Sequence, residues 1–250
     1  NEIFGARFHV KGVGGKAHTF YKNEPISNVI DRIELDRHLA KMAIESGAEI
    51  KERHTVIGVK ELKEKVVVKV RGPGGKKELD TKMVVGCDGP NSRVRRSLKL
   101  KEPKELLHGI LGFDPTVDFG NFVDVYLNVP RFFSWRIPRG NAGVEYGIAG
   151  GANIDIIGEF EKLIDSQGVQ IENRCSGMIP IGPPISVSTK RGFLIGDAAG
   201  QTKPFTGGGI VYGLIASECA ANVVNSDRTE TIGMYEQNWR KRIGREIEMG

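Results

Sequence analysis

A chain of 250 residues, 39% of them hydrophobic, can bury a sizeable core in one large domain or two interleaved ones. Its 36 basic and 31 acidic residues leave a net charge of +5, mixed along the chain rather than segregated. That pattern argues against nucleic-acid binding and leaves room for an anionic ligand or a membrane surface.

Cys87, Cys175 and Cys219 are widely spaced and form no C-x-x-C, so neither a disulfide framework nor a zinc site is indicated, and a reducing, cytoplasmic setting fits. Cys87 and Cys219 stand in small, apolar contexts that predict core positions. The histidines His9, His18, His38, His54 and His108 show no metal-ligand spacing, and no metal site is expected. No apolar run approaches the roughly 20 residues of a spanning helix.

The opening, NEIFGARFHV, reads as strand in mid-domain, which implies that the natural start lies further upstream. ARFHV and AHTFY alternate around KGVGGK and predict a hairpin. Within that turn GVGGKA formally satisfies G-x-G-x-x-A. The fingerprint needs a strand turning into a helix, and here strand residues follow it, so no first phosphate-binding loop is expected. After SNVIDR the period changes: Leu35, Leu39, Met42 and Ala43 share one helical face, and Gly47 ends the helix. AEIKER, TVIGVKEL and KVVVKV read as strands, the last two continuing as a meander to KELD. KMVVGCDG is apolar without alternation, as in a strand buried on both faces.

From about residue 106 to 188, LLHGILGF, FVDVYLNV, FFSWRIP and VEYGIAG predict an antiparallel sheet, with one helix near 156–164. GFLIGD returns to the buried-strand style, a small-residue helix covers about 208–224, and an amphipathic helix near 230–247 closes the chain. The fold class is mixed α/β, a nucleotide-binding part in pieces 29–99 and 189–250 interrupted by a sheet domain in pieces 1–28 and 100–188.

Two motifs carry chemistry. In GCDGPNSRVRR an apolar strand ends at Asp88, and Ser92 can cap a helix bearing Arg93, Arg95 and Arg96. In GFLIGDAAGQTKPFTGGGI, Asp197 stands at the carboxyl end of a buried strand, where open α/β sheets bind ligands and a carboxylate can accept from a polyol hydroxyl. Gly207, Gly208 and Gly209 then expose backbone N–H groups at a helix start, where the dipole favours negative charge. Close helix packing through glycine is the plainer reading of the same residues. No nucleophile elbow or acid/base pair emerges, as expected where a cofactor carries the chemistry.

These two motifs, with DRIELDRHLAKMAIESGAEI, resemble the flavoprotein superfamily of aromatic hydroxylases and geranylgeranyl reductases. VPRFFSWRIPRG is similar to the P-x-x-Y-x-W-x-F-P signature of the geranylgeranyl reductases: Pro130, Trp135 and Pro138 match, while Phe133 replaces Tyr and Ile137 replaces Phe. Read without the resemblance, Trp135 is ordinary sheet core. The resemblance implies an FAD-binding Rossmann-like domain, incomplete at its N-terminus, interleaved with an antiparallel-sheet substrate domain.

It also implies roles. Asp197 would bind the ribityl or pyrophosphate region of FAD, Arg32 the ribityl side and the Val56 backbone the adenosine end. Asp88 would belong to the cofactor site, and Gly209 and Ile210 would bring N–H groups to the pyrimidine edge. Phe133, Trp135 and Pro138, with Phe132, would line a pocket for an isoprenoid lipid. The implied activity is reduction of isoprenoid C=C bonds with electrons from an external donor, by a cytoplasmic protein peripheral to the membrane. Two alternatives stay open: a flavin monooxygenase or halogenase on the same scaffold, and a truncated chain unable to retain FAD.

Overall fold

The computed structural model describes residues 1–10, 17–225 and 232–249. In chain order these form β1 (Glu2–Ile3), β2 (Gly5–Val10), β3 (Ala17–Tyr21), β4 (Ser27–Asn28), α1 (Arg32–Glu45), β5 (Thr55–Glu61), β6 (Val66–Gly72) and β7 (Gly75–Thr81). Then come β8 (Val84–Gly86), α2 (Arg93–Ser97), β9 (Glu105–Asp114), β10 (Phe122–Val129), β11 (Phe132–Pro138), β12 (Val144–Gly150), α3 (Ile156–Gln167) and β13 (Asn173–Ile181). The last part holds β14 (Gly192–Leu194), α4 (Ile210–Val224), α5 (Ile232–Trp239), a π-helical turn Arg240–Gly244 and α6 (Arg245–Glu248).

The chain divides into two compact units, Asn1–Ile50 with Leu107–Met178, and Lys51–Leu106 with Ile179–Gly250. The sequence assigns 29–50 to the nucleotide-binding pieces, whereas α1 falls in the first unit. No residue of α1 is buried, so no core in the described residues claims it. Its apolar face is the expected one, yet Leu39 and Met42 remain 39% and 50% exposed.

The first unit is built on a seven-stranded sheet in the order β13-β9-β12-β11-β10-β2-β3. β2 runs parallel to β10, while β2–β3, β10–β11, β11–β12 and β12–β9 are antiparallel. The β2–β3 pairing, Gly5 with Tyr21 through His9 with Ala17, is that of the expected hairpin; its turn, with most of GVGGKA, lies outside the described residues. Asp155 caps α3 by accepting from the Gly158 N–H, and Gly168 at φ 63° ends it in the left-handed conformation glycine tolerates. Between those caps Ile156, Phe160, Leu163 and Ile164 pack on Val144, Tyr146 and Ile148. Each side chain fully removed from water there contributes about 1.5–3 kcal/mol.

In the second unit β5-β6-β7 form an antiparallel meander, and β8 pairs parallel with β14. Phe193, Leu194, Ala198, Ala199, Tyr235 and Trp239, all inaccessible, make its core with α2, α4 and α5 around them.

Three expectations change. AEIKER is not a strand: 48–53 carry no sheet pairing among the described residues, and Arg53 turns the chain at φ 56°. A strand forms only where a ladder satisfies its backbone groups. Cys87 is exposed rather than core, because β8 ends one residue earlier at Gly86; Cys219 is buried and Cys175 exposed. The closing helix runs unbroken through 232–248 but is not α-helical throughout, holding a π turn at Arg240–Gly244 within it.

Candidate functional site

Parallel pairing sets Gly86 of β8 beside Leu194 of β14, and the Ile195 N–H donates to the Gly86 carbonyl at 2.9 Å. Asp88 and Asp197 therefore both follow the carboxyl ends of adjacent parallel strands. In doubly wound sheets that edge is where ligands bind.

The Asp88 carboxylate is used within its own turn. It accepts from Ser92 Oγ and from the N–H groups of Arg93 at 2.7 Å and Val94 at 3.1 Å, while Ser92 Oγ accepts from the Arg95 N–H at 2.9 Å. Aspartate and serine together satisfy the first N–H groups of α2.

Arg95 is fully buried and ties this turn to the next. Its Nη1 donates to the Ala198 carbonyl at 3.0 Å and its Nη2 to the Pro90 carbonyl at 2.7 Å. Desolvation lowers its pKa, and the Glu102 carboxylate 3.7 Å away opposes that shift.

After β14 the chain makes a short 3-10 turn, Gly196–Ala199, entered and left through left-handed Gly196 and Gly200. Gln201, inaccessible to water, braces it: the Gly196 N–H donates to Gln201 Oε1 at 2.8 Å, and Gln201 Nε2 donates to the Tyr235 hydroxyl at 3.0 Å. Tyr235 donates in turn to the Leu194 carbonyl at 2.6 Å, and Thr202 Oγ1 donates to the Pro180 carbonyl. Half-buried Asp197 is thus carried on a turn whose backbone is fixed from behind by Arg95 and Gln201.

Facing it is the start of α4. Gly209 is the N-cap, with no side-chain cap, and the first intrahelical bond to it comes from Gly213 N–H at 2.8 Å. A Cβ built on Gly209 would stand 2.9 Å from Asp197 Oδ1. Bare backbone and carboxylate therefore adjoin at the positive end of α4.

Of the residues singled out in the sequence, Asp88, Asp197, Gly209 and Ile210 lie in this unit, and Val56 sits half-buried on β5 opposite Val70, packed against the same core. Arg32, Phe133, Trp135 and Pro138 belong to the first unit. Arg32 opens α1 directly after its N-cap Asp31, is exposed, and lies 3.5 Å from Asp36. Trp135 is half-buried on β11, its ring edge-on to Phe133 at 6.0 Å between centroids, and Pro138 is buried at the end of that strand. The bracing residues Gln201 and Tyr235 escape the sequence reading, because a buried polar side chain carries no periodic signature; Arg95 was legible as part of a basic helix face and, with Ser92, in the motif that carries the resemblance.

Residues 8–134 match the FAD binding domain family. The chain is 29% identical over 240 residues to digeranylgeranylglycerophospholipid reductase 2 of Methanothermobacter thermautotrophicus, covering 88% of this chain and 62% of that protein. It is likewise 29% identical over 253 residues to the digeranylgeranylglycerophospholipid reductase of Methanocaldococcus jannaschii, covering 91% of this chain and 64% of the relative. It therefore spans less than two thirds of either relative. Among solved structures, a geranylgeranyl bacteriochlorophyll reductase-like protein of Thermoplasma acidophilum superposes with a TM-score of 0.84 at 23% identity, over 99% of this chain and 68% of that one. A myxobacterial chondrochloren halogenase superposes at 0.77 and 16% identity, over 99% and 65%. At these identities the two structures share the fold.

Proposed function

This chain belongs to the FAD binding domain family, and from that premise we propose that it is part of an FAD-dependent reductase that saturates C=C bonds in the geranylgeranyl chains of archaeal-type glycerophospholipids or their precursors. The observation that carries the cofactor side is the carboxylate of Asp197 adjoining the uncapped helix start at Gly209. These residues suit a flavin: a carboxylate for hydroxyl groups, and the positive end of a helix for an electron-rich ring edge. When bound and reduced by the external donor, FAD would supply the hydride for one alkene carbon, and a proton would reach the other.

In this reading Asp197 accepts a hydrogen bond from a ribityl hydroxyl or orients the pyrophosphate region. The N–H groups of Gly209 and Ile210 favour negative charge at the pyrimidine edge, a fixed electrostatic contribution that needs no reorganisation. Arg32 serves the ribityl side and the Val56 backbone the adenosine end. Asp88 acts through backbone shape, since its carboxylate already accepts three hydrogen bonds. The lipid assignment draws support from the names of the relatives and from the half-buried aromatic pair Phe133 and Trp135, beside which Pro138 closes the strand. Among the described residues no helix is long and apolar enough to cross a membrane; in this reading the lipid is met at the membrane surface and electrons arrive from an external donor.

The test uses the full-length protein, chemically reduced and given a digeranylgeranyl glycerophospholipid. Mass spectrometry is expected to show stepwise addition of hydrogen pairs without oxygen uptake. Oxygen consumption with hydroxylation or halogenation of a small aromatic would replace this reading by the monooxygenase one, and a purified protein without flavin absorbance would sink both.

A further inference from the structure

Around Trp135 one face of the large sheet is largely apolar, and the carboxylate of Glu145 is set into it. Strand alternation puts Phe133, Trp135 and Ile137 of β11 on this face, and the register sets Gly147 beside Trp135 and Glu145 beside Ile137. On its other side Glu145 faces Phe113 of β9. Neither neighbour has a donor to offer, and a half-buried carboxylate without one is costly. Its partner is the indole: Trp135 Nε1–H donates to Glu145 Oε1 at 2.9 Å, the one side-chain hydrogen bond to Glu145 among the described residues.

The ring is seated as well as tethered. A Cβ on Gly147 would lie 2.2 Å from Trp135 Cζ2, so the six-membered ring rests on bare backbone, and Phe133 flanks it edge-on at 69°. The χ2 torsion of an indole is broad and roughly two-fold, which gives two orientations on that floor. The hydrogen bond to Glu145 selects one of those orientations. A charge-assisted bond of this kind is about twice as strong as a neutral one.

We propose that Glu145 is a positioning residue for the isoprenoid substrate. By holding the indole N–H it fixes how Trp135 is turned on the sheet, and so which double bond of the chain is presented for reduction. The inference rests on the function proposed above and adds to it a determinant of which bonds react.

The experiment compares wild type with Glu145→Leu, Glu145→Gln, Trp135→Phe and the Glu145→Leu/Trp135→Phe double variant in full-length, FAD-loaded protein. Glu145→Leu is expected to raise KM for the geranylgeranyl lipid about 10-fold, with a smaller change in kcat, and to alter the mixture of partly reduced products. Glu145→Gln keeps an acceptor and is expected to stay within about 3-fold of wild type. In the Trp135→Phe background, which has no N–H to hold, Glu145→Leu is expected to add less than about 2-fold. A second readout needs no turnover: the indole Nε1–H proton resonance of Trp135 should move upfield in Glu145→Leu and stay near its place in Glu145→Gln. Equal losses with and without the indole N–H overturn the proposal. So does an unchanged product mixture in a Glu145→Leu protein whose indole resonance has moved. A wild type that reduces no isoprenoid overturns the function reading first, a result distinct from either of these.

Discussion

Asp197 and Asp88 look alike in the sequence, each an acid placed just after a buried strand, and the structure separates them by what stands beside them. Asp88 has a serine four residues on and two helix N–H groups within reach, so its carboxylate builds a turn. Asp197 adjoins a glycine whose missing side chain leaves its Oδ1 against bare backbone. Loss of a charged hydrogen bond to a ligand costs about 1.5–3 kcal/mol, so Asp197→Ala is expected to weaken FAD binding roughly 10- to 150-fold. Flavin titration followed by fluorescence reads this directly, and unchanged affinity would remove Asp197 from the site. Arg95 belongs to the opposite class, because its guanidinium is enclosed and its two bonds end on carbonyls that would be left unmet. Arg95→Leu is expected to destabilise the protein by about 3–5 kcal/mol, and Arg95→Lys to recover only part, since a single ammonium cannot span the fork. Denaturant unfolding measures both. The acid and the glycines were legible because strand-end acids and glycine runs leave local patterns. Gln201 was not, because its partner Tyr235 is far away in sequence.

Elements were legible where their own periodicity and caps decide them, and failed where a partner decides them. The meander, the hairpin strands and α3 follow alternation, spacing and capping, and they form as read. AEIKER has the composition of a strand and lacks a ladder among the described residues, so pattern alone misjudged it. KMVVGCDG shortens to three residues for a related reason: among the described residues β8 has one sheet neighbour, β14, and its pairing stops where β14 turns. What holds that short pair is close packing against α2. A Cβ on Gly86 would stand 2.7 Å from Leu194 Cδ2 and 2.9 Å from Val94 Cβ, two buried side chains with no room to retreat. Gly86→Ala is expected to cost about 1–3 kcal/mol, the usual penalty of overpacking. A melting temperature equal to that of wild type would show that α2 can shift away from the strand. Affinity for FAD should fall with it, because Asp88 and Arg95 sit on the same helix start.

At the scale of the whole molecule, each unit is assembled from two stretches of chain, and each core holds tyrosines kept neutral by burial. The interleaving itself was legible, since the strand style changes and then returns; the boundaries were not, because α1 buries nothing that would mark its allegiance. In the first unit the Tyr126 phenol is pushed up to about 12, by desolvation first and then by the Asp124 carboxylate. In the second, Tyr212 is likewise pushed up to about 12, by desolvation and then by its hydrogen bond to Glu246. A raised folded-state pKa means that the unfolded chain releases its proton first, near pH 10. The stability tied to each neutral phenol is therefore complete below pH 10 and drains away as pH rises toward about 12. Tyr126→Phe and Tyr212→Phe remove that titration, each in its own unit. Each variant is expected to lose on the order of 1–2 kcal/mol less than wild type between pH 9 and pH 11, even where the missing hydroxyl lowers its stability at neutral pH. Urea unfolding at the two pH values measures the difference. Parallel pH profiles for wild type and Tyr126→Phe would mean that this phenol ionises in the folded sheet as readily as in water, and would withdraw burial as the source of its shift.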